Sequence, residues 1–123
     1  MRLLLFPLVV VWLTGCSGSG PGVTAASGAA GPDALDCALA EATALGYAVV
    51  DAEAGVFFRA RQPKRFRRDR SDAEFDVVTV TAARRSLTVL AAGEKDTADG
   101  VRSVDPSGAA EREAADIVAA CTG

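Results

Sequence analysis

The chain has 123 residues, half of them apolar and 24% charged, with a formal net charge of −3. That length holds one domain, and the mild acidity argues against a nucleic-acid partner. There is no histidine, which removes the commonest general base, proton shuttle and transition-metal ligand together.

Met1-Arg2 gives a minimal positive start, and Leu3 to Leu13 is an apolar run broken by Pro7. A membrane span needs about 20 apolar residues, so the run fits an export signal peptide over residues 1–15. It ends in Leu13-Thr14-Gly15-Cys16. This pattern resembles the lipobox of bacterial lipoprotein precursors, in which a peptidase cuts before the cysteine once its sulfur carries a diacylglyceryl group. The resemblance covers residues 1–16 and implies lipidation at Cys16 by palmitate-type chains. It also implies a membrane partner through the anchor and a place in the cell envelope on the extracytoplasmic side. Ser17 favours the outer membrane where the cell has one. An ordinary signal peptide with an incidental cysteine is the competing reading. Two or three acyl chains anchor stably where one does not. Beyond residue 15 the chain keeps 12 of its 13 cations, losing Arg2, and all 16 acids, a net of −4.

Residues 17–32 carry no charge and almost no large side chain. Such a segment buries too little to order itself, so the expectation is a flexible tether with a reach of roughly 20–25 Å. The folded module is then residues 33–121. A first helix is expected from Pro32 or Asp33 to Leu45, with Asp33 and Asp36 at its positive end and Gly46 as its stop. Leu35, Ala38, Leu39, Ala42 and Leu45 form its apolar stripe.

Four strands follow: Tyr47–Asp51, Gly55–Gln62, Phe75–Ala83 and Ser86–Ala92, with tight turns at Ala52-Glu53-Ala54 and Arg84-Arg85. In the second, Val56, Phe58 and Ala60 share one face and Phe57, Arg59 and Arg61 the other, which reads as a sheet with one wet face. Residues 93–104 form a polar connection with room for a short edge strand at Val101–Val104. A last helix is expected with Asp105 as N-cap and Pro106 in its first position, burying Ala110, Ala114, Ile117, Val118 and Cys121. The fold class is α+β, in the order α-β-β-β-β-α: an antiparallel four-stranded meander with two antiparallel helices on one face.

With Cys16 lipidated, Cys37 and Cys121 remain, and an even pair in an exported protein suggests a disulfide. The topology agrees. In a four-strand meander the first and last strands are antiparallel, so the start of the first helix lies by the end of the last. Two separate thiols are the alternative, since Cys37 sits off the centre of its helix stripe.

Arg59, Arg61, Lys64, Arg65, Arg67, Arg68 and Arg70 place seven cations in twelve residues, with Phe66 among them and Asp69, Asp72, Glu74 and Asp76 directly after. One reading is a contact with anionic lipid or with an envelope protein's acidic face, since the arginine fork binds two oxygens at once. The other is a solvated loop paired with its own acidic flank. Glu94, Asp96, Asp99 and Asp105 do not match an EF-hand spacing, so no metal and no cofactor is expected. Without histidine, no serine triad can form, and no catalytic residue stands out.

The run Leu45-Gly46-Tyr47-x-Val49, Asp51, Ala54-Gly55-Val56-Phe57 resembles the helix–glycine–strand–turn–strand opening of small envelope lipoprotein modules. Accessory proteins of outer-membrane assembly are one example. The resemblance spans about thirty residues and carries no site residue. Two functions are therefore weighed: a non-enzymatic envelope lipoprotein acting as an accessory or adaptor protein, and a lipid- or small-ligand-binding module using the sheet face and loop 59–70.

Overall fold

The segments richest in alternating valine, threonine and phenylalanine form the centre of one antiparallel sheet, as β-branched and aromatic side chains fit a pleated, half-buried surface. The computed structural model describes residues 22–64 and 73–122. In chain order the elements are β1 (Thr24–Ala29), α1 (Ala34–Ala44), β2 (Ala48–Glu53), β3 (Phe57–Pro63), β4 (Glu74–Ala83), β5 (Ser86–Thr97), β6 (Gly100–Val104) and α2 (Gly108–Cys121). The class is α+β. The strands line up as β1-β5-β4-β3-β2, and β6 also pairs with β5. The expected meander is therefore present as β2 to β5, but inside a sheet of six strands rather than four.

The two additional strands share one edge of β5. Residues 24–29 pair with residues 86–91, and residues 100–104 pair with residues 93–97. The tether expected over residues 17–32 is thus incorrect for residues 24–29, and the folded unit begins well before residue 33. Small side chains argued for disorder, yet they are what this edge requires. A Cβ on Gly28 would sit 3.0–3.2 Å from side-chain atoms of Thr122 and Val118, so any side chain there would have to press those residues of the α2 end aside. The alternation missed in Thr24, Ala26 and Gly28 is that of a strand with its partly buried face under a helix. Residues 93–97, expected in a connection, extend β5.

The core lies between the helices and one face of the sheet. Phe58, Ala60, Val78, Val80, Leu87, Val89 and Ala91 meet Ala38 and Ala42 of α1 and Ala110, Ala114 and Ile117 of α2. The face of α1 is rotated from expectation. Ala34, Ala38 and Ala42 are buried, whereas Leu39 is 38% exposed. Alanine at every fourth position lets the helix lie close to its neighbours, and the same rotation turns Cys37 toward α2. Cys37 and Cys121 are bonded, with sulfurs 2.08 Å apart and Cα atoms 5.7 Å apart. At the other end of α1, the Tyr47 hydroxyl donates to Glu113 Oε1 at 2.8 Å. With one link at each end, the two helices run in opposite directions.

The start of α2 also differs from expectation. Ser107, not Asp105, is the N-cap, and its hydroxyl accepts from the Ala110 N–H at 3.1 Å. The reason is Asp76, whose side chain is fully buried. It accepts from both the Ser107 N–H at 2.9 Å and the Ser107 hydroxyl at 2.7 Å. A buried carboxylate must be satisfied, and these two donors fix the helix two residues later than the proline signal suggested.

Candidate functional site

The sheet face turned away from the helices carries Phe57, Arg59 and Arg61 of β3, Phe75, Val77 and Thr79 of β4, and Leu90, Glu94 and Asp96 of β5, placed there by strand alternation. Arg59 forms an ion pair with Glu94. The Arg61 guanidinium lies 3.4 Å from Glu94 and 3.3 Å from Asp96, and stands 3.9 Å above the Phe75 ring. Two arginines thus alternate with two carboxylates across β3 and β5. An arginine over an aromatic face adds attraction and covers the ring.

Lys64 is turned elsewhere. Its ammonium donates to Glu74 Oε1 at 3.2 Å and to the Asp105 carbonyl at 2.7 Å, and its side chain is only 13% exposed. Of the eight cationic and aromatic residues singled out in the sequence, Arg59, Arg61 and Lys64 therefore have partners within the fold. Arg65, Phe66, Arg67, Arg68 and Arg70 lie outside the described residues, as does Cys16. The partners of Arg59 and Arg61 come from β5, not from the acidic flank after the loop, whereas Lys64 pairs with Glu74 of that flank as expected.

A second polar group lies under the helices. Gln62 and Asp76 are buried, and the Gln62 amide donates to the Leu45 carbonyl at 3.2 Å. The Tyr47 phenol is held well above its ordinary range, chiefly by burial and then by the Glu113 carboxylate that accepts its hydrogen bond. The group locks α1, α2 and the sheet together. Asp76 was legible as an interior position, because it shares strand parity with Val78 and Val80; counting it among the acidic flank concealed that.

A third feature was read from the sequence only as a turn. Arg84 and Arg85 link β4 to β5, and both have positive φ, 53° and 66°. Beside them is an open recess of about 630 Å³, lined by Ala30, Gly31, Gly55, Ala82 and Ser86 together with the two arginines. The Ala30 N–H donates to the Arg85 carbonyl at 2.8 Å and the Ala82 N–H to the Val56 carbonyl at 3.0 Å, so both walls are tied to the hairpin.

Among the described residues no three His, Cys, Asp or Glu side chains are grouped to hold a metal ion, and no helix is long and apolar enough to cross a membrane. No protein-family model matches the chain, and no curated protein matches it.

Proposed function

We propose that this chain is a bacterial lipoprotein anchored in the cell envelope through Cys16, working without catalysis as an accessory or adaptor protein. The observation that carries the reading is the division of the cysteines. The chain has three, and Cys37 and Cys121 are bonded to each other. Cys16 is the third, outside that pair, and it stands at the end of an export-type segment in a lipobox-like sequence. A disulfide also suits an oxidising compartment outside the cytoplasm. The outer membrane is the favoured location where the cell has one.

A second reading is a module that binds lipid or a small ligand through the sheet face and residues 59–70. It is favoured by the partly exposed Phe57 and by Phe75 beneath Arg61, both on the sheet face turned away from the two helices.

The test uses the full precursor in its native host, with metabolic acyl labelling followed by crosslinking in cells. The expected result is label lost in Cys16→Ser and one specific envelope protein crosslinked to the wild type. Label retained in Cys16→Ser removes the anchor. Crosslinking that recovers only lipid removes the adaptor and favours the second reading. A further sample with Arg65, Arg67, Arg68 and Arg70 changed to Gln tells whether the basic run makes the contact.

A further inference from the structure

The turn between β4 and β5 is built from the wrong residues for its shape. Ala83 pairs with Ser86, leaving a two-residue loop in which both residues have positive φ, as a type I′ turn requires. Asn-Gly or Gly-Gly is the low-cost pair there, because a side chain in the left-handed region crowds its own backbone. Here both positions hold arginine, among the largest side chains available. Both are exposed, and among the described residues neither guanidinium has a hydrogen bond or ion pair. This contrasts with Arg59 and Arg61, which are engaged by Glu94 and Asp96.

The recess beside the turn gives the two cations something to flank. Its walls are small residues and backbone from three separate connections: Ala30 and Gly31 after β1, Gly55 between β2 and β3, and Ala82 with Ser86 on the hairpin. Apart from Pro32 and the two arginines, an extended backbone lying against these walls meets only small side chains.

The recess is also placed away from where the chain enters the fold. Gly22 is held at Asp105 by a 2.8 Å hydrogen bond, and β1 runs from Thr24 opposite Ala91 to Ala29 opposite Ser86. Gly22 and the arginine turn are therefore at opposite ends of β1, roughly 20 Å apart for a strand of this length. On the anchored reading above, on which this inference rests, the turn lies at the end of the fold far from the anchored entry.

We propose that the Arg84–Arg85 turn and its recess are a docking site for an acidic, extended segment of a protein partner. The guanidinium forks would grip paired carboxylates. A lipid headgroup has the same sign of charge, but the site is at the pole opposite the membrane entry.

The test uses the full-length chain in detergent micelles and a fluorescent hexa-glutamate peptide, with hexa-glutamine as control. All samples carry Arg65, Arg67, Arg68 and Arg70→Gln, so the basic run cannot supply the binding. The chain with Arg84 and Arg85 intact should bind hexa-glutamate and release it as salt rises. Adding Arg84→Asn with Arg85→Gly should weaken binding about tenfold or more, the loss expected for two charge-assisted pairs. The same double change should raise Tm by about 4–8 °C, because the turn then holds its preferred residues. That rise shows the variant folded, so lost binding cannot be blamed on unfolding. Equal binding by the variant, no binding by the intact turn, or tighter binding of inorganic phosphate than of the peptide each overturns the proposal. None of these outcomes depends on acylation or on a cellular partner, so the site and the anchored-adaptor reading fail separately.

Discussion

Gly93 is the position where one added carbon should cost most. It lies in β5 opposite Val104, on the face that meets the helices, and the chain leaving β6 passes directly over it. A Cβ at Gly93 would stand 2.5 Å from the Asp105 carbonyl oxygen, 2.8 Å from that of Val104 and 2.9 Å from the Asp105 carbonyl carbon. All three are backbone atoms, so no rotamer change relieves the overlap. The connection must retreat by about 1 Å to reach ordinary contact. That movement strains the bonds from Gly22 and Lys64 to Asp105, and those from Ser107 to Asp76. Overpacking alone costs about 1–3 kcal/mol, and weakening a charge-assisted bond to a buried carboxylate adds about 1.5–3 kcal/mol. Gly93→Ala should therefore lose about 2.5–6 kcal/mol, measured as a lower urea midpoint at unchanged slope. Gly31→Ala is the control, since a Cβ there meets nothing within 4 Å; it should stay within about 0.5 kcal/mol of the parent. A Gly93→Ala protein as stable as that control would mean the connection does not cross β5 here.

The bond between Cys37 and Cys121 closes a loop with a sequence separation of 84. Changing both to serine should cost about 4–5 kcal/mol in the chain-entropy account, and the parent in reductant should unfold at the same urea concentration as the variant; a loss under about 1 kcal/mol would refute that account. Tyr47 predicts alkaline sensitivity. Its folded pKa is raised, so its contribution is complete below the ordinary phenol value of about 10 and is lost as pH climbs from there toward the folded value. Stability measured against pH should fall above that point in the parent and fall less in Tyr47→Phe. As the only tyrosine, its phenolate absorbance should appear together with unfolding; absorbance rising before unfolding would count against the burial.

Much of the fold was legible because its strongest signals are periodic. Phe58 and Ala60 against Arg59 and Arg61 set the inner and outer faces of β3, and a first helix stopped at Gly46 precedes the strands. β1 was not legible, because alanine, serine and glycine give no hydrophobic contrast between faces; its order comes from pairing with β5 and from the approach of α2, both distant in sequence. The start of α2 was misplaced for a related reason. Pro106 is a fair local signal, but Asp76 outweighs it from 31 residues away. Within the candidate sites, the charge count around residues 59–70 found Arg59 and Arg61 without revealing that Glu94 and Asp96 face them across the sheet. The Arg84–Arg85 turn was identified as a turn, but its backbone conformation is not written in its residues, which are the opposite of what such a turn prefers.

The pairing of β1 has a mechanical consequence. A pull directed along β1 from its N-terminal end loads that strand against antiparallel β5. All the cross-strand bonds of the 24–29 segment then resist together in shear, instead of parting one after another like a zipper. The Gly22–Asp105 bond shares that load with the connection into α2, and the Cys37–Cys121 bridge ties α2 covalently to α1. A tug on the residues before Gly22 is thus spread through the sheet edge and both helices before any single contact has to yield.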